Sequence, residues 1–261
     1  MKIDLDFVKR IILSFKWLSL FYFRFRFGIR KNYGVKHIKI HDFLNWHGGA
    51  CYFTGKFNES RVFIKTLHSK FGILQNEQTA IRLLDQTSIQ NHIPQLHIQG
   101  QIGRDEFIVL DFIHGNTLNH HLENSLSEIK PQERTELANQ LIRILEGIQD
   151  VKVVHRDLRP DNIFITDKNG LSLKLIDFSF VIDSINWNKE PRFHDITRNE
   201  KAWDIWKALG QVYKPEPLKW DDAYAIHKIL SENNHLFNLG DDLLEKVKDK
   251  IGNEEFAIDN S

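Results

Sequence analysis

Between Val153 and Phe180 the chain switches abruptly between apolar and polar character. Val153-Val154 is apolar. His155-Arg156-Asp157-Leu158-Arg159-Pro160-Asp161-Asn162 then gathers two Asp, one Asn and two Arg. Ile163-Phe164-Ile165 is apolar again, Asp167–Gly170 has turn composition, Leu171–Ile176 alternates as a half-buried strand does, and Asp177 opens another turn. This layout presents carboxylates and an amide at the ends of short strands. Oxygen ligands so placed can hold a divalent cation and leave positions for phosphate. A further carboxylate in the run can accept a proton from a hydroxyl.

The flanking sequence sets the frame. Ile38–Leu44, Ala50–Phe57 and Arg61–Leu67 read as strands, with Asn58-Glu59-Ser60 as a hairpin turn. Residues 73–87 read as a helix with Ile73, Leu74, Ala80, Ile81 and Leu84 on its inner side. Gln95–Gln101 and Glu106–Phe112 form a second hairpin around Gly103-Arg104-Asp105. Pro131–Gln149 carries Leu137, Leu141, Ile144, Leu145 and Ile148 at helical spacing, with proline at its start. Beyond residue 184 the pattern is mostly helix and loop. A strand-rich part followed by a helix-rich part, changing over near Phe112–Leu118, predicts an α+β chain. Its 261 residues suffice for two small lobes sharing a cleft.

With these elements in view, His155-Arg156-Asp157-Leu158 and Asn162 resemble the catalytic loop of protein kinases, and Asp177-Phe178-Ser179 stands where that family has its metal-binding Asp-Phe-Gly. The two motifs occur in order, 20 residues apart, joined by an apolar hairpin. The resemblance implies a two-lobed protein-kinase-like fold, with a small strand-rich N-lobe over residues 35–113 and a helical C-lobe over 114–261. It implies ATP and Mg2+ as cofactors. Asp157 would accept or orient the acceptor hydroxyl's proton. Asn162 and Asp177 would hold magnesium. Arg159 would neutralise the transferred phosphoryl group, because phosphoryl transfer is catalysed chiefly by positioning and charge stabilisation. His155 and Arg156 would brace the loop.

Upstream, Arg61-Val62-Phe63-Ile64-Lys65 matches the family's Val-Ala-Ile-Lys strand. Lys65 would grip the α/β-phosphates, paired with Glu77 on the next helix. The glycine-rich loop departs from the family pattern: Asn45-Trp46-His47-Gly48-Gly49-Ala50-Cys51-Tyr52 offers Gly48 and Gly49 to approach phosphate, and a simple hairpin turn is the competing reading. Glu106–Gly115 resembles the strand and hinge that hold adenine. The backbone of Asp111 and Ile113 would pair with the base, with Val109 behind it. Downstream, Asp204-Ile205-Trp206-Lys207-Ala208-Leu209-Gly210 resembles the helix whose Asp braces the catalytic loop, with one extra residue. Only 26 residues then separate it from Asp177, a short activation segment without a clear Ala-Pro-Glu.

Residues 1–34 form a basic, aromatic N-terminal segment. From Lys2 to Lys39 the only acids are Asp4 and Asp6. Phe7, Ile11, Phe15, Leu18, Tyr22 and Phe25 recur at helical spacing, whereas Phe21, Phe23, Phe25 and Phe27 alternate as a strand would. The stretch is too short and too charged for a membrane span, and no signal-peptide cleavage site follows it. Two readings stay open: peripheral contact with an anionic membrane through residues 7–31, or a helix packing on the catalytic domain. Lys+Arg and Asp+Glu balance at 35 each, so net charge argues neither way on nucleic acid, and none is expected as a partner. Cys51 is the only cysteine, which excludes an intrachain disulfide and fits a cytoplasmic location, including the inner face of a membrane.

Three functions follow from the resemblance. One is a kinase with a protein Ser/Thr acceptor, favoured by Arg159-Pro160. Another is a kinase with a sugar acceptor, such as those of lipopolysaccharide, favoured by the short activation segment and the basic aromatic N-terminus. The third is a pseudokinase binding module, favoured by the glycine loop and by Ser179.

Overall fold

Asn58 and Glu59 both adopt positive φ (47° and 62°), the backbone of a tight two-residue hairpin turn whose twist matches that of its strands. The turn sets Phe57 opposite Ser60, and the register runs unbroken to Ala50 opposite Leu67. This is the central hairpin of the computed structural model, which describes residues 21–43, 50–67, 73–167, 170–184, 193 and 207–258. Its strands are β2 (Ala50–Phe57) and β3 (Ser60–Leu67). With β1 (Lys36–His41), β4 (Leu96–Ile102) and β5 (Asp105–Asp111) they make an antiparallel sheet in the order β1-β2-β3-β5-β4.

The chain divides into two contact units, residues 1–74 with 95–112, and residues 75–94 with 113–261. In the first unit, residues 21–33 are a helix, α1. Its Phe21, Phe25 and Ile29, one turn apart, are buried in a cluster with Phe53, Val62, Ile64, Phe107 and Val109 from the sheet. The Phe25 ring stacks on Phe53 with centroids 5.2 Å apart and meets Phe107 edge-on at 5.6 Å. Burying three such side chains contributes about 1.5–3 kcal/mol each. Arg24 is paired with buried Asp105 at the β4–β5 turn, and the helix ends at Gly34, whose positive φ of 72° allows a left-handed cap. Helical spacing therefore prevails over strand alternation after residue 20, and this part of the segment packs on its own unit. Phe23 and Phe27, on the other side, are 74% and 69% exposed. Residues 7–20 lie outside the described residues. Phe25→Ala is expected to cost about 3–5 kcal/mol, and Phe23→Ala less than about 0.5. Urea denaturation checks both, and equal losses would contradict this packing.

One expectation fails on register. Opposed residues in an antiparallel pair share a face. Phe53, Ile64 and Val109 are aligned across β2, β3 and β5 and face α1. Lys65 is aligned with Tyr52 and Ile108 on the opposite face. Val109 therefore cannot sit behind a base on the lysine side; Ile108 and Leu110 occupy that face.

Helix α2 (Ile73–Leu84), which lies in the second unit from Gln75 on, buries Leu74, Ala80, Ile81 and Leu84 as expected, and also the polar Asn76 and Glu77. Strand β6 (Asn116–Thr117) precedes α3 (Leu118–Asn124), and α4 (Pro131–Asp150) follows, with proline in its first turn. The ladder β6-β8-β9, with β8 (Ile163–Thr166) and β9 (Ser172–Leu175), is tied to α4 by Gln140. Its amide donates to Leu171 O (3.2 Å) and accepts from Leu173 N (2.8 Å). Two short strands, β7 (Val153–Val154) and β10 (Ile182–Asp183), pair antiparallel. Beyond residue 184 there is a strand pair that periodicity did not announce: β11 (Lys219–Asp221) with β12 (Glu255–Ala257), flanking α5 (Asp222–Glu232) and α6 (Asp241–Lys248). No described helix is long and apolar enough to cross a membrane.

Candidate active site

The β7–β10 pairing explains how two polar motifs far apart in sequence become neighbours. β7 enters the loop 155–162, and β10 leaves the loop that begins at Asp177. Between them, Ile176 N donates to Asn162 O at 2.9 Å. The two loops are thus joined by backbone bonds on both sides.

His155 is fully buried. Its backbone N–H donates to Asp222 Oδ2 (2.6 Å). Its ring Nε2 lies 3.1 Å from Ile176 O, and its Nδ1 accepts from Asp157 N at 3.3 Å. This network assigns the neutral tautomer with the proton on Nε2. Arg156, with φ of 67°, donates from Nε to Phe180 O, and its guanidinium lies 5.5 Å from the Trp220 ring and 5.4 Å from Phe256. Both residues brace the loop.

Asp157 is held from three directions. Oδ1 accepts from Gly210 N (2.9 Å) and lies 3.5 Å from Arg159 Nε. Oδ2 accepts from Asn162 Nδ2 (2.8 Å). Burial pushes its pKa up, the Gly210 bond and the Arg159 charge pull it down, and nearby Asp177 pushes it up again. Asn162 spends its other amide proton on Asp157 O (2.8 Å), so its Oδ1 keeps its lone pairs for a cation. Arg159 Nη1 binds Asp161 Oδ2 at 2.8 Å, while its buried Nε makes no hydrogen bond. Asp177 has a left-handed backbone (φ 63°), which is costly for a non-glycine residue and concentrates at functional sites. Its Oδ1 accepts from Ser179 Oγ (2.7 Å), and the same hydroxyl lies 3.0 Å from Glu77 Oε2.

These contacts bring Asp157, Arg159, Asn162, Asp177 and Glu77 into one unit. Lys65 belongs to the other and lies part-buried on the sheet face away from α1. Asp111 gives its backbone N–H to Gln95 O (3.0 Å), so a base can use only its carbonyl. Its side chain accepts from Gln95 N (3.2 Å) and lies 2.7 Å from His97 Nε2. Ile113 begins the second unit. Gly48 and Gly49 lie outside the described residues, as does Asp204. Among the described residues, the carboxylate that braces the catalytic loop is Asp222, with Asp221 beside it capping α5 through Ala223 N and Tyr224 N.

Sequence reasoning named Lys207–Gly210 only as part of a helix and missed what Gly210 and Lys214 do. Gly210 reaches Asp157 with φ of 75°, and a Cβ there would lie 3.0 Å from Arg156 O, so glycine is required. Lys214 Nζ donates to Leu209 O (2.8 Å), and burial lowers its pKa while Asp157 raises it.

Compared with known proteins, the chain matches the model of the protein kinase domain over residues 54–199, more than half its length. It belongs to the protein kinase family. Within that family it is similar to a probable serine/threonine-protein kinase of Dictyostelium discoideum, 35% identical over 98 residues, which is 38% of this chain and 21% of that one. A second probable serine/threonine-protein kinase of the same organism is 31% identical over 176 residues, 61% of this chain and 37% of that one. Serine/threonine-protein kinase PknA of Nostoc is 30% identical over 109 residues, 42% and 19% of the two chains. The chain thus spans roughly a fifth to just over a third of these relatives' lengths. As a protein kinase domain it has the family's α+β fold, with an antiparallel five-stranded sheet and a helical second unit.

The described residues hold no cluster of three or more His, Cys, Asp or Glu side chains suited to a metal. Magnesium used with a nucleotide takes one or two protein ligands and completes its shell with water and phosphate. Asp177 and the free Oδ1 of Asn162 fit such a set, and the unbonded Arg159 Nε fits a phosphate oxygen.

Proposed function

We propose that this domain transfers the γ-phosphoryl group of ATP to a serine or threonine hydroxyl of a protein. The observation that carries the reading is the double clamp of Asn162 on Asp157, because it aims a buried carboxylate while freeing an amide oxygen for a cation. Asp157 accepts the acceptor's proton. Arg159, charged and 3.5 Å from that carboxylate, offers its open Nε to the transferred group. Asn162 and Asp177 would hold Mg2+, which would supply positive charge to offset that of the phosphates. Lys65 meets the α/β-phosphates. The three relatives named above are all serine/threonine kinases, which favours a protein acceptor over a sugar, and the presence of Lys65, Asp157, Asn162 and Asp177 together favours turnover over a pseudokinase.

Incubation with γ-labelled ATP, Mg2+ and whole-cell fractions tests this. Label is expected in protein bands, as phosphoserine or phosphothreonine. Label confined to the glycolipid fraction would overturn the protein acceptor. Nucleotide binding with no transfer to any fraction would overturn catalysis.

A further inference from the structure

Ser179 occupies the place where the resemblance expects glycine, and its side chain is not idle. It is 2% exposed, with Oγ 2.7 Å from Asp177 Oδ1 and 3.0 Å from Glu77 Oε2. Glu77, also 2% exposed, sits on α2, 102 residues away in sequence. Ser179, Asp177 and Glu77 belong to the same unit, so the bridge lies within one compact body.

One hydroxyl carries one proton. Two carboxylate oxygens lie within reach of it, and it can serve only one at a time. The shorter contact goes to Asp177. A cation on Asp177 Oδ1 takes electron density from that acceptor and competes for its lone pairs, which weakens it as a hydrogen-bond partner. The hydroxyl then has a second acceptor, already in place on α2. A glycine at 179 would leave no such link.

We infer that Ser179 is a positioning residue that couples the cation-binding state of Asp177 to Glu77 and helix α2, its proton turning from one carboxylate to the other when the cation binds. This rests on the proposed magnesium role of Asp177. The substrate class on which the device acts is a nucleoside diphosphate or triphosphate with its cation, since the cation reaches Asp177 with phosphate.

The test measures binding, not turnover. ADP affinity is determined by calorimetry in Mg2+ and in EDTA, for wild type, Ser179→Ala and Ser179→Gly. Hydrogen exchange of α2 amides is followed with ADP alone and with ADP plus Mg2+. A hydrogen bond to a charged group corresponds to a change of about 10- to 150-fold. The variants are expected to lose about that much of the Mg2+-dependent gain in affinity, while affinity in EDTA stays within about twofold. The extra protection of residues 73–84 that Mg2+ brings in wild type should disappear in both. Ser179→Gly carries the family's own residue, so it reports even where the alanine methyl disturbs the fold. Variants with wild-type Mg2+ dependence and undiminished α2 protection would overturn the coupling alone. A wild type whose ADP affinity is the same in Mg2+ and EDTA would overturn the reading of Asp177, and the inference with it.

Discussion

Replacing Asp157 by Ala or Asn is expected to slow phosphoryl transfer by about 10²–10⁴-fold, the usual contribution of a positioned general base, with ADP affinity changed less than about threefold. The contacts explain the split. Asp157 accepts from Gly210 N and Asn162 Nδ2, and its Oδ1 lies 3.5 Å from the Arg159 Nε. An asparagine would turn its NH2 toward one donor or the other and could take no proton. Of these partners only Asn162 belongs to the proposed cation set, and its bond to the backbone carbonyl of residue 157 survives both substitutions, so nucleotide binding is largely spared. Single-turnover transfer with labelled ATP and calorimetry with ADP separate the two effects. Retention of more than a tenth of the rate would remove Asp157 from the chemistry. The pH profile gives a second check. Burial holds the Asp157 proton on, so its carboxylate forms at higher pH than an ordinary aspartate's. Activity should therefore fall, as pH is lowered, earlier than a free carboxylate would dictate.

The residues behind that expectation were legible in the sequence because the spacing that names them is local. His155–Asn162 and Asp177 are separated by one short hairpin, and apolar runs on either side require strands there. The Asn58-Glu59 turn and the β4–β5 hairpin were legible for the same reason. Val109 was misplaced because parity in a strand needs to know which face is covered. The cover is α1, whose own pattern of Phe21, Phe23, Phe25 and Phe27 fits a strand as well as a helix. Gly210 and Asp222 were not legible as site residues because their partners lie 53 and 67 positions away, and no local pattern announces a backbone donor or a brace at that distance. A signal was present in Trp220-Asp221-Asp222, two acids after a tryptophan at a helix start.

The brace itself carries the second large effect. Asp222 is buried and accepts the backbone N–H groups of His155 and Arg156. Asp222→Ala leaves two buried donors without their acceptor, at about 1–3 kcal/mol each. Asp222→Asn keeps one oxygen for them and should lose less than half as much. The two variants also separate hydrogen bonding from charge. Burial is the first cause that pushes the Asp222 pKa up, to about 7 from 3.8, with Asp221 adding to it and the two backbone bonds opposing. The folded protein therefore holds a proton between those values that the unfolded chain releases. By linkage this contribution is full below about pH 4 and is lost as pH rises through about 7. Urea midpoints at pH 5.5 and pH 8 should show wild type losing stability across that interval, with Asp222→Asn lacking this part of the slope because it cannot ionise. A slope that persists unchanged in Asp222→Asn would assign it to another group. A stable Asp222→Ala with an intact transfer rate would show that the loop stands without its brace, and that the His155 ring bond to Ile176 O suffices to aim Asp157.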